Sequence, residues 1–329
     1  MDRSNEIKFV LNSLRGPFPL VPERGCQIEN MDWEFLLAYA KGNNLLFHVA
    51  RHALNEHGKN IESSALSRIE EIVSSGEKKV QDIQAGIRFL QNEFPQDFVL
   101  HKTFRNYDRI PNDLDFLVSD FTGAMKALDG LLGPSLDIDY DEDKAVYYSK
   151  EKFKLHLHGR CSWVAVDYMD YADILSDPRI ENFNGVDVAI PNVTMDYLIH
   201  VAHMNYEPMH FTLSELVYLH SIEKGADKDY CRGQARKYHW ERAYLRTLKV
   251  LDDFYEYFFD SQNPLDEMGG EYMMPKTFSR FHIIAAFLER GLIMEPLKKL
   301  PKALKVLISG NSYGGFYTAP EEKISGVGK

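Results

Sequence analysis

"VLHKTFRNYDRIPNDLDFLVSD", residues 99–120, sets Lys102, Arg105 and Arg109 just ahead of two aspartates separated by one apolar residue, Asp113-Leu114-Asp115. In a strand, residues i and i+2 project to the same face. Asp113 and Asp115 therefore point together, while Leu114 and Phe116 turn the other way into sheet packing. Two carboxylates on one face repel, and they are stable when hydrated, when paired with cations, or when they hold a hard divalent ion such as Mg²⁺. A bare Asp-x-Asp is also an ordinary solvated strand end. The apolar run Phe116-Leu117-Val118 directly after it raises the functional reading.

On either side the pattern changes character. Residues 31–56, "MDWEFLLAYAKGNNLLFHVARHALNE", read as two helical runs broken at Gly42-Asn43-Asn44, and Val80, Ile83, Ile87 and Leu90 recur at helical spacing until Pro95 stops them. From 97 to about 168 the runs are short and β-branched or aromatic: "DFVLHKTF", "LDFLVSD", "KAVYYSK", "FKLHLH" and "SWVAVDY", with one helix-like insert, "GAMKALDGLLG". After a turn at Asn184-Gly185 and past Pro191, helical periodicity returns, with Leu245, Leu248, Leu251, Phe254 and Phe258 read as one stripe. The expectation is an α/β (α+β) chain: an N-terminal helical region at 1–95, a small mixed-sheet core at 96–190, and a C-terminal helical bundle at 191–329 with a loosely held tail.

Composition narrows the function classes. A chain of 329 residues with 44% apolar residues is long enough for a substantial core. The net charge of -11 argues against whole-surface binding of nucleic acid, so a polyanionic partner needs a local basic patch. No apolar run reaches membrane-spanning length, and the start "MDRSNEIKFVLNSLRG" lacks the apolar stretch of a signal peptide, so a cytoplasmic chain without membrane partners is expected. Cys26, Cys161 and Cys231 lie far apart, which indicates neither a disulfide framework nor a thiolate zinc site.

The same chain holds a decoy. Asp137, Asp139, Asp141 and Asp143 alternate like the start of a calcium loop, but position six is Glu142 rather than Gly and position twelve is Tyr148 rather than Glu. This run reads as a solvated hairpin.

The whole constellation at 99–118 resembles the uncharacterised branch of the nucleotidyltransferase superfamily with the DNA polymerase β-like fold. Members carry a strand with a Lys-Gly or Gly-Ser element, then an Arg, then Asp-x-Asp followed by apolar residues. Here these fall on Lys102, Thr103, Arg109, Asp113, Asp115 and "FLV". "MDWEFLLAYAKGNNLLFHVARHAL" looks like that family's N-terminal helices, and "IPNVTMDYLIHVAHMNYEPMHFTLSELVYL" like its His-bearing helix and the helix after it, so the resemblance spans about 31–260.

The resemblance implies an enzyme using Mg²⁺ (or Mn²⁺) to move a nucleoside monophosphate from an NTP to a hydroxyl acceptor: small molecule, protein or RNA. Asp113 and Asp115 would bridge two ions, and Lys102, Thr103, Arg105 and Arg109 would bind the nucleotide phosphates. The family also implies a third carboxylate on a later, adjacent strand. Alternation in "SWVAVDYMDY" puts Trp163, Ala165 and Asp167 on one face, which makes Asp167 the expected third ligand and Asp170 the fallback. Thr103 stands where the family has glycine, which normally lets the backbone approach a phosphate closely. Either its hydroxyl donates instead, or the site is a weakened nucleotide- or RNA-binding one.

Other features carry less. His200, His203, His210 and His220 lack the H-E-x-x-H spacing and read as core or cap residues, with His203 near the nucleotide only by resemblance. Glu215 could approach the site from its helix. Residues 224–249 are rich in Lys and Arg, with Arg232 and Arg236 one turn apart; a solvated face is favoured over a wall for triphosphate or an RNA end. The basic amphipathic segment 297–309, broken by Pro301, reads as a packed surface helix.

Overall fold

The computed structural model describes residues 3–259 apart from 20, 22, 106–108, 141–142, 150–152, 164–165 and 207–211. Segment 297–309, the tail, His210 and the side chains of Phe254 and Phe258 therefore lie outside the described residues.

The chain opens with helices α1 (Ser4–Ser13), α2 (Trp33–Gly42) and α3 (Leu46–His57). The break between α2 and α3 falls where Gly42-Asn43-Asn44 placed it, and Asn44 takes a left-handed φ of 58° that asparagine tolerates better than most residues. Asp32 caps α2 by accepting from the Phe35 N–H, leaving one fewer orphan donor at that end. Helix α4 (Ser63–Glu93) is 31 residues long, roughly 46 Å at the ordinary rise per residue. Its buried stripe, Ala65, Ile69 and Val73, then Ile83, Ile87 and Leu90, faces the other helices at one end and the sheet at the other.

A five-stranded mixed sheet follows, from β1 (Val99–Leu100), β2 (Leu114–Leu117), β3 (Asp137–Asp139), β4 (Lys144–Tyr148) and β5 (Lys154–His158) in the order β1-β2-β5-β4-β3. Only β2 and β5 run parallel, and α5 (Phe121–Leu132) lies in the crossover between them. The alternation expected of β2 is observed: Leu114 and Phe116 enter the apolar cluster shared with α4 and α5, and Leu117 enters the other cluster. The decoy aspartates Asp137 and Asp139 lie on β3, the edge strand of the hairpin with β4. The chain is thus α+β, as the alternation of patterns indicates.

Two short hairpins complete the β structure. β6 (Ser162–Trp163) and β7 (Val166–Asp167) pair with each other antiparallel, so "SWVAVDY" is not a single strand of the central sheet. β8 (Arg179–Phe183) and β9 (Val186–Ile190) meet at Asn184-Gly185, whose φ values of 48° and 87° suit the mirror-image turns that hairpins favour. Helices α7 (Val193–Tyr206), α8 (Leu213–Ile222), α9 (Lys228–Lys237) and α10 (Glu241–Phe259) end the described chain, with the short α6 (Ala172–Ser176) before them.

In α10 the buried side is Ala243, Tyr244, Thr247, Val250 and Leu251, with Trp240 buried just ahead of it, while Leu245 is exposed. The expected stripe through Leu245, Leu248 and Leu251 drifts, because steps of three fall short of the 3.6-residue turn. Residues of α1–α3 and of α7–α10 belong to one buried apolar cluster, and the amide oxygen of Asn43 accepts from the Leu213 N–H across this seam. Among the described residues no helix is long and apolar enough to cross a membrane.

The crossing of α3 and α4 depends on Gly76. A Cβ there would lie 2.2 Å from Phe47 Cδ2 and 2.9 Å from Ile110 Cδ1. Gly76→Ala gains about 1 kcal/mol of helix propensity, but overpacking beside a buried ring costs about 1–3 kcal/mol or more. The clash wins: urea unfolding of G76A is expected to show a net loss of roughly 1–2 kcal/mol.

Candidate metal and nucleotide site

The two aspartates meet as the spacing indicates. Asp113 stands just before β2 and Asp115 lies within it, and the parallel register sets His156 of β5 directly opposite Asp115. His156 Nδ1 lies 3.4 Å from Asp113 Oδ2 and 3.4 Å from Asp115 Oδ1. Two residues along β5, on the same face, His158 Nε2 lies 2.8 Å from Asp115 Oδ1. His101 continues the β1–β2 ladder by donating its backbone N–H to the Asp115 carbonyl, and its ring meets that of His158 edge-on. Two donor groups thus share Asp115, each with its ligand atoms within 4.8 Å of one another: Asp113, Asp115 and His156, and His101, Asp115 and His158.

Electrostatics separate the two carboxyls. Burial raises the Asp113 carboxyl above its ordinary value, and the charge of Asp115 adds to that rise. Burial acts the same way on Asp115, but Lys102 and hydrogen bonds from the two imidazoles outweigh it and hold Asp115 well below the carboxylate range. Lys102 Nζ stands 3.9 Å from Asp115 Oδ1, with only 7% of its side chain exposed. Burial pushes His158 down to about 4 against the opposing pull of Asp115, so it presents a neutral ring at neutral pH.

Lys102 also has a left-handed φ of 59°, a conformation that costs a non-glycine residue about 1–3 kcal/mol and persists where the surroundings over-determine it. Thr103 is buried, and its hydroxyl donates to the His101 carbonyl at 3.0 Å. It therefore does not stand ready to replace glycine at a phosphate, as the sequence left open.

The structure does not bring Asp167 into either donor group. It ends the β6–β7 hairpin, 3.6 Å from Arg160 Nη1. The expectation failed because alternation was carried across residues that belong to two paired strands. The fallback, Asp170, is also engaged: it accepts from Lys237, Tyr238 and Gln234 and ties this hairpin to α9. The positions next to the acidic pair are filled instead by His156 and His158. "FKLHLH" holds that signal, two histidines at strand spacing on one face.

The arginines divide. Arg105 is 1% exposed, with Nη2 donating to both oxygens of Glu215 at 2.9 and 3.1 Å and its guanidinium stacked 4.5 Å from the Tyr218 ring centre. A cation held in this way does not present itself to a phosphate, contrary to the expectation for Arg105. Arg109 is more open, 21% exposed, and only 3.5 Å from Glu215 Oε1. Both arginines line a cavity of about 510 Å³ with Phe47, Arg51, Gln81 and Phe183. Four of the eight cations of the basic 224–249 stretch are seen in ion pairs: Arg232 and Arg236 both donate to Glu241, Lys237 meets Asp170 and Lys228 meets Glu223. His203 lies half-buried on α7, and His220 is paired with Glu223.

No family model, curated protein or solved structure matches this chain.

Its own geometry therefore carries the chemistry. For a hard divalent ion, Asp113 and Asp115 supply the carboxylate oxygens that Mg²⁺ prefers, leaving further positions to water and phosphate oxygens. The third donor in reach is an imidazole nitrogen, a ligand that suits transition ions such as Fe²⁺ or Zn²⁺ more than Mg²⁺. The residues present fit a divalent ion at Asp113, Asp115 and His156.

Proposed function

We propose that this chain is a metal-dependent nucleotidyltransferase on a polymerase β-like core, moving a nucleoside monophosphate from an NTP to the hydroxyl of a small molecule, protein or RNA. The observation that carries this reading is the convergence of Asp113 and Asp115 with His156 at the entry of β2, with Lys102 alongside. A divalent ion held there supplies charge neutralisation for the triphosphate and lowers the pKa of the acceptor hydroxyl. Lys102 and Arg109 bind phosphate oxygens, Lys as a point charge and Arg through its planar fork. His156, between the two carboxylates, fixes their separation. The resemblance at 99–118 supports the phosphate chemistry.

A second reading, a weakened nucleotide- or RNA-binding protein on the same fold, is favoured by one set of observations. The Thr103 hydroxyl is already engaged, Asp167 lies outside both donor groups, and Asp115 is held by Lys102 and His158.

The deciding experiment is thermal unfolding with each of the four NTPs, with and without Mg²⁺ or Mn²⁺, for the wild type and Asp113→Ala. A ligand that binds only the folded chain raises the melting temperature, so a metal-dependent rise in the wild type that vanishes in D113A is expected. No rise with any NTP at millimolar concentration would remove both readings. Pyrophosphate release with a hydroxyl acceptor separates the enzyme from the weakened binder.

A further inference from the structure

Between Leu100, the end of β1, and Leu114, the start of β2, the chain carries the cations of the site with no helix or strand among its described residues. What orders this segment comes from more than a hundred residues further along the chain. Glu215 sits in the first turn of α8, where the Thr212 cap accepts from its N–H, and its side chain is 7% exposed. Both of its oxygens accept from Arg105 Nη2, while Oε2 also lies 3.2 Å from His200 Nδ1. Burial by itself would raise this carboxyl; the opposing pull of Arg105, His200 and Arg109 outweighs it and keeps Glu215 well below its ordinary value.

Arg105 passes the constraint on. Its Nη1 donates to the carbonyls of Lys102 and Phe104 at 3.3 and 2.8 Å, and Arg109 Nη1 donates to the same Lys102 carbonyl at 3.3 Å. That carbonyl belongs to the residue with φ of 59° whose Nζ faces Asp115. The anchor is itself braced. His200 Nε2 lies 3.3 Å from Asp196, which also takes Arg179 at 3.0 Å and the Tyr218 hydroxyl at 2.5 Å.

Such a buried set of charges is a poor way to gain stability, because apolar residues of similar volume commonly do as well or better. It is a good way to fix geometry. With Nη2 held by the carboxylate and Nη1 by two backbone carbonyls, the guanidinium is pinned at both of its terminal nitrogens, and through it the backbone on which Lys102 stands.

We propose that Glu215 is a positioning residue for phosphate binding. Through Arg105 it holds the Lys102 carbonyl and so sets where Lys102 and Arg109 meet the phosphates of the nucleotide. This rests on the nucleotidyltransferase reading, which places phosphates at Lys102 and Arg109. Arg105 is accordingly a strut and not a ligand for phosphate.

The test uses the full-length chain and Mg²⁺ with inorganic tripolyphosphate, a probe that carries the phosphates without a choice of base, measured by calorimetry. Glu215→Gln keeps the volume and removes the charge; Glu215→Asp keeps the charge. E215Q is expected to bind roughly tenfold more weakly or worse, with E215D recovering part of that loss. Arg105→Lys retains the charge opposite Glu215 but loses the fork to the two carbonyls. It leaves Glu215 paired with a cation, so no buried charge is stranded, and is expected to weaken the probe to a similar degree. Wild-type affinity in folded E215Q or in R105K overturns the proposal, as does tighter binding from the unmasked arginines or an E215D as weak as E215Q. A wild type that does not bind the probe at all overturns the nucleotidyltransferase reading, and this proposal with it.

Discussion

Asp115→Asn abolishes the metal-dependent response to nucleotide and lowers the stability of the ligand-free chain by about 3 kcal/mol, the low end for breaking a buried ion pair. The two effects have different origins. The metal loses a carboxylate, and Lys102, at 7% exposure, loses the charge it faces at 3.9 Å. Asn also offers the His158 ring a weaker acceptor than the carboxylate does. Asp113→Asn is the control that separates them. Asp113 is 27% exposed, and the charge of Asp115 works against its ionised form, so its removal leaves stability within about 0.5 kcal/mol. The metal response is still lost. Urea unfolding of the apo chains together with melting under Mn²⁺ and NTP reads both quantities. Equal stability of D115N and wild type would show that Lys102 is not held by this carboxylate.

Arg105→Gln and Arg109→Gln separate in the opposite sense. R105Q strands Glu215 and removes a guanidinium packed on Tyr218, so a loss of about 3–5 kcal/mol is expected in urea unfolding. R109Q removes a more open cation at the margin of the Glu215 contact and costs less than about 1 kcal/mol. Its effect falls on the ligand: loss of a charge-assisted hydrogen bond to phosphate weakens nucleotide about tenfold or more. If R105Q were as stable as R109Q, the buried network would not be the structural tie described above.

The sequence made the strand and the pair of aspartates legible because both depend on local periodicity. Leu114 and Phe116 face one way and Asp113 and Asp115 the other for reasons contained in a few consecutive residues. The α2–α3 break and the Asn184-Gly185 turn were legible for the same kind of reason, since each depends on a backbone conformation that few residues accept. Asp167 was not, because a paired hairpin and one continuous strand look alike when only the alternation is read. His156 and His158 became neighbours of the acidic pair only through the parallel β2–β5 register, which no short motif records. The fate of Arg105 was further from reach still. Its partner lies 110 positions along the chain, and nothing in "KTFRNYDR" distinguishes a cation for phosphate from one for a buried glutamate.

The apolar cluster that unites the first and last described helices also sets an order on the ribosome. Phe9, Leu11 and Leu36 share it with Leu198, Leu216, Leu219 and Trp240, which are synthesised far later. At bacterial or eukaryotic elongation rates the early helices wait on the order of ten seconds for those partners, with part of their apolar surface uncovered. The nascent chain is thus a natural client for chaperones that hold exposed apolar helices, whereas the acidic pair, whose neighbours lie between His101 and His158, can be assembled before those late helices emerge.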